Sequence, residues 1–200
     1  MTMTSTNPTE KVGMSLKEFM LLQEEQPFEL LFGERVDKRP NPWIHSWIIR
    51  ILFRALDRFV VEHGLGEVFQ ETTYAEVKDQ NDWIKGSRIP DIMFFSAGRV
   101  GQYLSEIQRA HDLPFGIAPD LTIEVLSPSE KAIDINRKVK VDQGLGVRLI
   151  WVADPIHKSV TEYALGGAIR QLELSDTLDG GDVLPGFKLP LAELFQDPAL

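Results

Sequence analysis

The run Ala118-Pro119-Asp120-Leu121-Thr122-Ile123-Glu124-Val125-Leu126 carries two carboxylates on what reads as a buried strand. Leu121, Ile123, Val125 and Leu126 give it the near-continuous apolar character of a strand covered on both faces. An ionised carboxylate inside a sheet is costly unless a metal ion or a cation neutralises it. Glu124 therefore has two readings, an exposed strand end or half of a charged site. A second such run, Arg88-Ile89-Pro90-Asp91-Ile92-Met93-Phe94-Phe95, has an acid at its entrance. Pro90 cannot donate to a central ladder, so Asp91 belongs where that strand begins. Further on, Asp134 and Lys138 stand four apart on one face of a helix read over residues 130–143.

Two carboxylates and an ammonium are suited to phosphodiester hydrolysis. Hard divalent cations such as Mg²⁺ take one or two carboxylates and fill their other positions with water. A bound ion polarises a phosphoryl oxygen and acidifies a water, and a nearby ammonium orients that water or offsets developing charge. Asp120 and Glu124 share one face of the pleat, but a regular strand sets them about 13 Å apart. That is too far for one ion, so Glu124 pairs with Asp91 and Asp120 is left in support. Charged residues in such number also arise from composition alone, since 26% of the chain is charged. A paired-carboxylate sugar hydrolase is a further reading, and it requires two acids about 5–10 Å apart with no lysine between them.

The elements that must position these groups follow from pattern. Ser15-Leu16-Lys17-Glu18 is a capping box opening a short helix that stops before Pro27. Phe28-Glu29-Leu30-Leu31-Phe32-Gly33-Glu34-Arg35-Val36 reads as strand, turn and strand. Glu29 there is either solvent-facing or beside an active site. From Asn41, a cap with Pro42 at the first helical position, Ile44, Trp47, Ile48, Ile51, Leu52, Ala55, Leu56 and Phe59 recur at helical spacing as far as Gly64. His45, near the start of this helix, reads as a solvated histidine or a site residue. Residues 68–77 are rich in β-formers and 78–82 form a turn cluster. A short helix is read over 100–110. Ser127-Pro128-Ser129 ends the Glu124 strand and offers a cap for the helix of Lys138, which Gly144 ends. Val147–Ala153 is a further buried strand, so strand, helix and strand form a parallel crossover. A hairpin over residues 159–174 and an apolar segment over 184–195 close the chain.

Whole-chain quantities narrow the classes. Two hundred residues with 43% hydrophobic content suit one domain, read as 13–200 behind a mobile polar tail over 1–12. Without cysteine, disulfides and thiolate metal sites drop out. No apolar run approaches a membrane span and the polar start is no signal peptide, so a cytoplasmic protein without membrane contact is expected. A net charge of −9 argues against broad non-specific DNA binding, though not against a local basic groove. The tryptophans of the helix from Trp43 and the apolar 184–194 segment point to a homodimer, twofold dimers being the commonest oligomers.

Six segments in order resemble the Uma-two-like family of "putative restriction endonucleases", within the PD-(D/E)XK nuclease superfamily. They are Phe28–Glu34, Pro90-Asp91, Pro119–Ser129, Asp134-Ile135-Asn136-Arg137-Lys138, Trp151-Val152-Ala153-Asp154-Pro155 and Leu184-Pro185-Gly186-Phe187. The likeness runs from about Met14 to Phe195. It implies an α/β fold of the restriction-endonuclease-like type. That fold has a mixed central sheet flanked by helices, here with an N-terminal helix and hairpin and a C-terminal hairpin. It implies a Mg²⁺-dependent DNA endonuclease, with Mn²⁺ as a substitute ion, in which Asp91 and Glu124 hold metal. The superfamily's usual lysine, two residues after the second acid, is Leu126 here. In the Uma-two-like pattern a helix lysine stands in, and Lys138 matches it. Glu29, His45 and Asp120 match supporting positions. The alternative is a catalytically silent binding or scaffold protein that keeps the fold.

Overall fold

The computed structural model describes residues 12–78, 82–106, 112–128, 130–167 and 169–197. The tail over 1–11, most of the 78–82 turn cluster, the end of the 100–110 helix and Ser129 lie outside the described residues.

Apolar alternation builds two larger sheets, and the chain passes from one to the other through Ile89-Pro90-Asp91. In the first, β1 (Met14–Ser15), β6 (Trp83–Arg88), β2 (Phe28–Leu31) and β3 (Glu34–Asp37) lie in that order, with β5 (Tyr74–Lys78) also paired to β6. Helix α1 (Leu16–Glu25), capped by the Ser15 side chain on the Glu18 amide, packs Phe19 against Phe28, Leu30, Ala75 and Ile84. The main sheet runs β11 (Ile169–Leu172), β10 (Ser159–Ala164), β9 (Leu149–Asp154), β8 (Leu121–Val125), β7 (Ile92–Ser96), β4 (Gly66–Gln70). Among the described strands of this sheet β8 and β9 alone pair in parallel, and α4 (Ala132–Leu145) is the crossover between them. The mixed sheet flanked by helices is thus as expected.

Strand pleating decides which residues meet which helix. Ile92, Phe94, Leu121, Ile123 and Val125 point to α2 (Trp43–His63), whose Ile48, Leu52, Leu56 and Val60 fill that side. Gly64, left-handed at φ +61°, ends α2 by donating back to the helix carbonyls. Met93, Phe95, Ile150 and Val152 point the other way, towards Ile135 and Val139 of α4 and Val100 of α3 (Ala97–Glu106). Among the described residues no helix is long and apolar enough to cross a membrane.

Several expectations need correction. The β-rich run over 68–77 is two strands in different sheets, β4 and β5, broken at Glu71, whose φ is +45°. The run through Arg88 to Phe95 is likewise cut: β6 ends at Arg88, and Ile89-Pro90-Asp91 carries the chain into the main sheet. Pro42 itself caps α2, with no help from the Asn41 side chain. Helix α4 begins after Lys131 and runs through Gly144 to Leu145, stopped by Gly146 in the left-handed region. The apolar C-terminal segment forms β13 (Lys188–Pro190), paired with β12 (Thr177–Asp179), and α5 (Leu191–Leu194). Leu184, Phe187, Leu189, Leu191, Leu194 and Phe195 are buried in the α2 core, so the apolar content of this segment is covered within the one chain.

Candidate active site

Thr122 and Glu124 are the residues of β8 that turn from α2 towards α4. A strand buried at every position puts them in a dry environment, so each must find a partner. Glu124, 2% exposed, has both oxygens in ion pairs: Oε1 is 2.6 Å from Arg88 Nη2 and Oε2 is 2.8 Å from Lys138 Nζ. The exposed-strand-end reading of Glu124 therefore falls. Lys138 reaches it from α4 and also lies 2.7 Å from Glu130 Oε1 and 4.0 Å from Glu29 Oε2.

Asp91 closes the same end of the sheet from the start of β7. Its Oδ2 accepts the Val125 amide at 2.7 Å, one residue from Glu124, and lies 3.2 Å from His45 Nε2. Its Oδ1 lies 3.6 Å from Lys38 Nζ, and that ammonium also donates to the Ile89 carbonyl at 2.9 Å. Glu29, read from sequence as solvent-facing or site-adjacent, is buried and accepts from Arg88 Nη1 and from the Ile89 amide at 2.9 Å. His45 is buried as well, and its Nδ1 has no hydrogen-bond partner.

Asp91, Glu124, Lys138, Glu29 and His45 all line one cavity of about 460 Å³. Asp134 joins them, in keeping with its place one turn before Lys138. Lys140 is exposed on another face of α4. Asp120 is not among the lining residues. It lies at the opposite end of β8, where it accepts the Ser96 amide at 2.9 Å and pairs with Arg99 and Arg148 at 3.4 and 3.5 Å. The structure thus brings five of the six sequence candidates together and sets Asp120 apart.

Sequence reasoning missed the centre of the arrangement. Arg88, fully buried, spreads its guanidinium over three elements: Nη1 to Glu29, Nη2 to Glu124, and Nε to Asp142 Oδ1 at 2.8 Å. Asp142 also accepts from Tyr74 Oη at 2.6 Å and Thr122 Oγ1 at 2.8 Å. A signal was present in the chain, because Asp134, Lys138 and Asp142 step by four along one helical face.

These contacts set the charge states. Burial pushes the Glu124 carboxyl up, but the Lys138 and Arg88 cations outweigh it and hold the group well below the usual carboxylate range. Burial would lower Lys138, yet Glu124 and Glu29 raise it well above an ordinary lysine. The ammonium therefore stays protonated at neutral pH. Asp142 moves the other way: burial raises it and Arg88 offsets only part of that.

The donor set fits a hard divalent cation held largely by water. Two buried carboxylates, Asp91 and Glu124, share a polar cavity with room for several waters. Among the described residues no three acids or histidines cluster as a ready-made cage.

The fold is that of a solved protein from Anabaena variabilis described as "a putative nuclease belonging to DUF820". The two share a TM-score of 0.73 and 23% identity over 91% of this chain and 97% of that one. The chain belongs to the Uma-two family, whose description is "Putative restriction endonuclease" and whose model matches residues 16–192. No curated protein matches it.

Proposed function

We propose that the chain, as a single domain over residues 13–200, is a divalent-metal-dependent endonuclease acting on DNA. Asp91 and Glu124 would hold Mg²⁺, for which Mn²⁺ can substitute, and Lys138 would orient the attacking water. The observation that carries this reading is the convergence of Asp91, Glu124 and Lys138, from a strand start, a strand and a helix, on one polar cavity. A bound cation there supplies polarisation of a phosphoryl oxygen and acidification of water.

The chain's own residues do the rest. Lys138, kept protonated by Glu124 and Glu29, is a donor and a charge and takes no proton. Its three hydrogens suit the Glu124 and Glu130 oxygens already in reach, with one left for a water. Asp91 is held still by the Val125 amide and by His45, so its orientation does not depend on a ligand. Along the cavity wall, Arg35, Lys38 and Arg39 supply positive charge where a phosphate backbone would pass.

Plasmid cleavage with Mg²⁺ or Mn²⁺ tests the reading. The wild type is expected to nick DNA, while Asp91→Asn, Glu124→Gln and Lys138→Met each lose at least about a hundredfold in rate. The second reading, a silent protein that keeps the fold, draws on the ion pairs that engage both oxygens of Glu124. Purified protein that binds neither ion and cleaves no DNA of any topology would establish it.

A further inference from the structure

Glu124 must present one oxygen to the cavity in a fixed direction if it is to hold an ion, and a lone glutamate on a strand has rotamers to spare. The structure supplies a restraint. Arg88 Nη2 takes Oε1 at 2.6 Å, leaving Oε2 as the oxygen shared with the cavity-lining Lys138. The guanidinium is itself fixed on its two remaining sides, by Glu29 on β2 and by Asp142 on α4. Asp142 is in turn pinned by Tyr74 from β5 and Thr122 from β8. Every member of this chain is buried. A planar guanidinium bonded along three directions cannot rotate without breaking one of them, and lysine cannot reproduce the fork.

We infer that Arg88 is a positioning residue, which commits Glu124 Oε1 to the protein and leaves Oε2, beside Lys138, as the oxygen that would hold an ion, with Asp142 anchoring the guanidinium from behind. This rests on the metal-dependent reading above. It also explains why a fully buried arginine lies three residues before Asp91. The link Ile89-Pro90-Asp91 spans the two sheets, and Arg88 and Asp91 act from its two ends on neighbouring residues of β8: Arg88 on the Glu124 side chain, Asp91 on the Val125 amide.

Arg88→Lys is the informative substitution because it keeps the positive charge and removes the fork. Mn²⁺ affinity is read by calorimetric titration of the full chain, alongside kcat and KM for DNA. Positioning predicts that Arg88→Lys binds Mn²⁺ about 10–100-fold more weakly, the usual effect of removing a group that orients a metal ligand. It predicts a lower kcat with an unchanged KM for DNA. Asp142→Asn keeps an acceptor oxygen for Tyr74 and Arg88 Nε, reverses the bond to Thr122, whose hydroxyl would then accept from the amide nitrogen, and removes the charge facing Nε. It should shift Mn²⁺ affinity the same way by less, and it decides the matter should Arg88→Lys fail to fold. A folded variant that binds Mn²⁺ as the wild type does overturns the positioning role and leaves the nuclease reading intact. A wild type that binds no Mn²⁺ overturns both.

Discussion

Removing the Lys138 ammonium should weaken the fold and cleavage while tightening metal binding. The perturbation is Lys138→Met, which keeps the length of the side chain and deletes its charge. In the wild type this ammonium lies 2.8 Å from Glu124 Oε2 and 2.7 Å from Glu130 Oε1. Breaking a buried ion pair costs about 3–5 kcal/mol when the remaining charge is left alone. Glu124 is not left alone, because Arg88 still holds Oε1 at 2.6 Å. The loss is then nearer one charge-assisted hydrogen bond, about 1.5–3 kcal/mol. In a chain of this size that lowers Tm by roughly 2–4 °C per kcal/mol. A divalent ion at Glu124 would sit close to this ammonium, and a double and a single positive charge about 4 Å apart repel by about 8 kcal/mol at an effective dielectric near 20. Recovering even a sixth of that makes Mn²⁺ bind roughly tenfold more tightly. Scanning fluorimetry with and without Mn²⁺ measures both effects, since ligand binding raises Tm by mass action. A Lys138→Met protein that melts with the wild type and binds Mn²⁺ no more tightly would refute this account of the lysine.

Acid should erase the stability that Glu124 contributes. Its folded pKa lies below its ordinary 4.5, so the contribution is present above 4.5 and is lost as pH falls through the lower folded value. The denaturant midpoints of wild type and Glu124→Gln should therefore converge from pH 7 towards pH 3, and a constant gap would contradict the ion-pair account. Asp120→Ala should cost about 1–3 kcal/mol by stranding the Ser96 amide and two arginines, yet leave Mn²⁺ affinity unchanged. A metal-binding defect in that variant would return Asp120 to the site. Light scattering at micromolar concentration should give a dimer, an expectation that rests on the α2 tryptophans alone, of which Trp43 is 67% exposed, and a monomer mass would remove it.

What the chain shows by itself is governed by how local the cause is. The α2 helix is legible because eight apolar positions keep one period and Gly64 can turn left-handed, both properties of neighbouring residues. Glu124 stands out because a carboxylate in an apolar strand is anomalous without knowledge of its partner. Arg88 is different. Its neighbours Gly86, Ser87 and Ile89 give no hint of burial, and its meaning lies in Glu29, Glu124 and Asp142, up to 59 residues away. The same holds for the C-terminal segment. Its apolar content is visible, but only its packing against α2 shows that this content turns inward. The break after Arg88 is marked by Pro90 alone, because both sides of it are strands and the hydrophobic pattern does not tell one sheet from another.

The net charge of −9 remains as an objection to a DNA substrate, and the site's own geometry answers it. At physiological ionic strength charges beyond about 8 Å are largely screened, so a phosphate at the cavity responds to its immediate walls and not to the sum over the surface. Those walls carry Arg35, Lys38, Arg39 and Lys138 beside Glu29, Asp37, Asp91, Glu124, Glu130 and Asp134. The acids outnumber the cations there, which makes the cavity by itself unfavourable for a polyanion. A divalent ion on Asp91 and Glu124 would change that balance by two charges at the point where the phosphate must sit. The acidity of the cavity thus becomes a reason for metal-gated substrate binding: DNA should associate measurably with this face only in the presence of the ion, and gel-shift titrations with and without Ca²⁺ can show it.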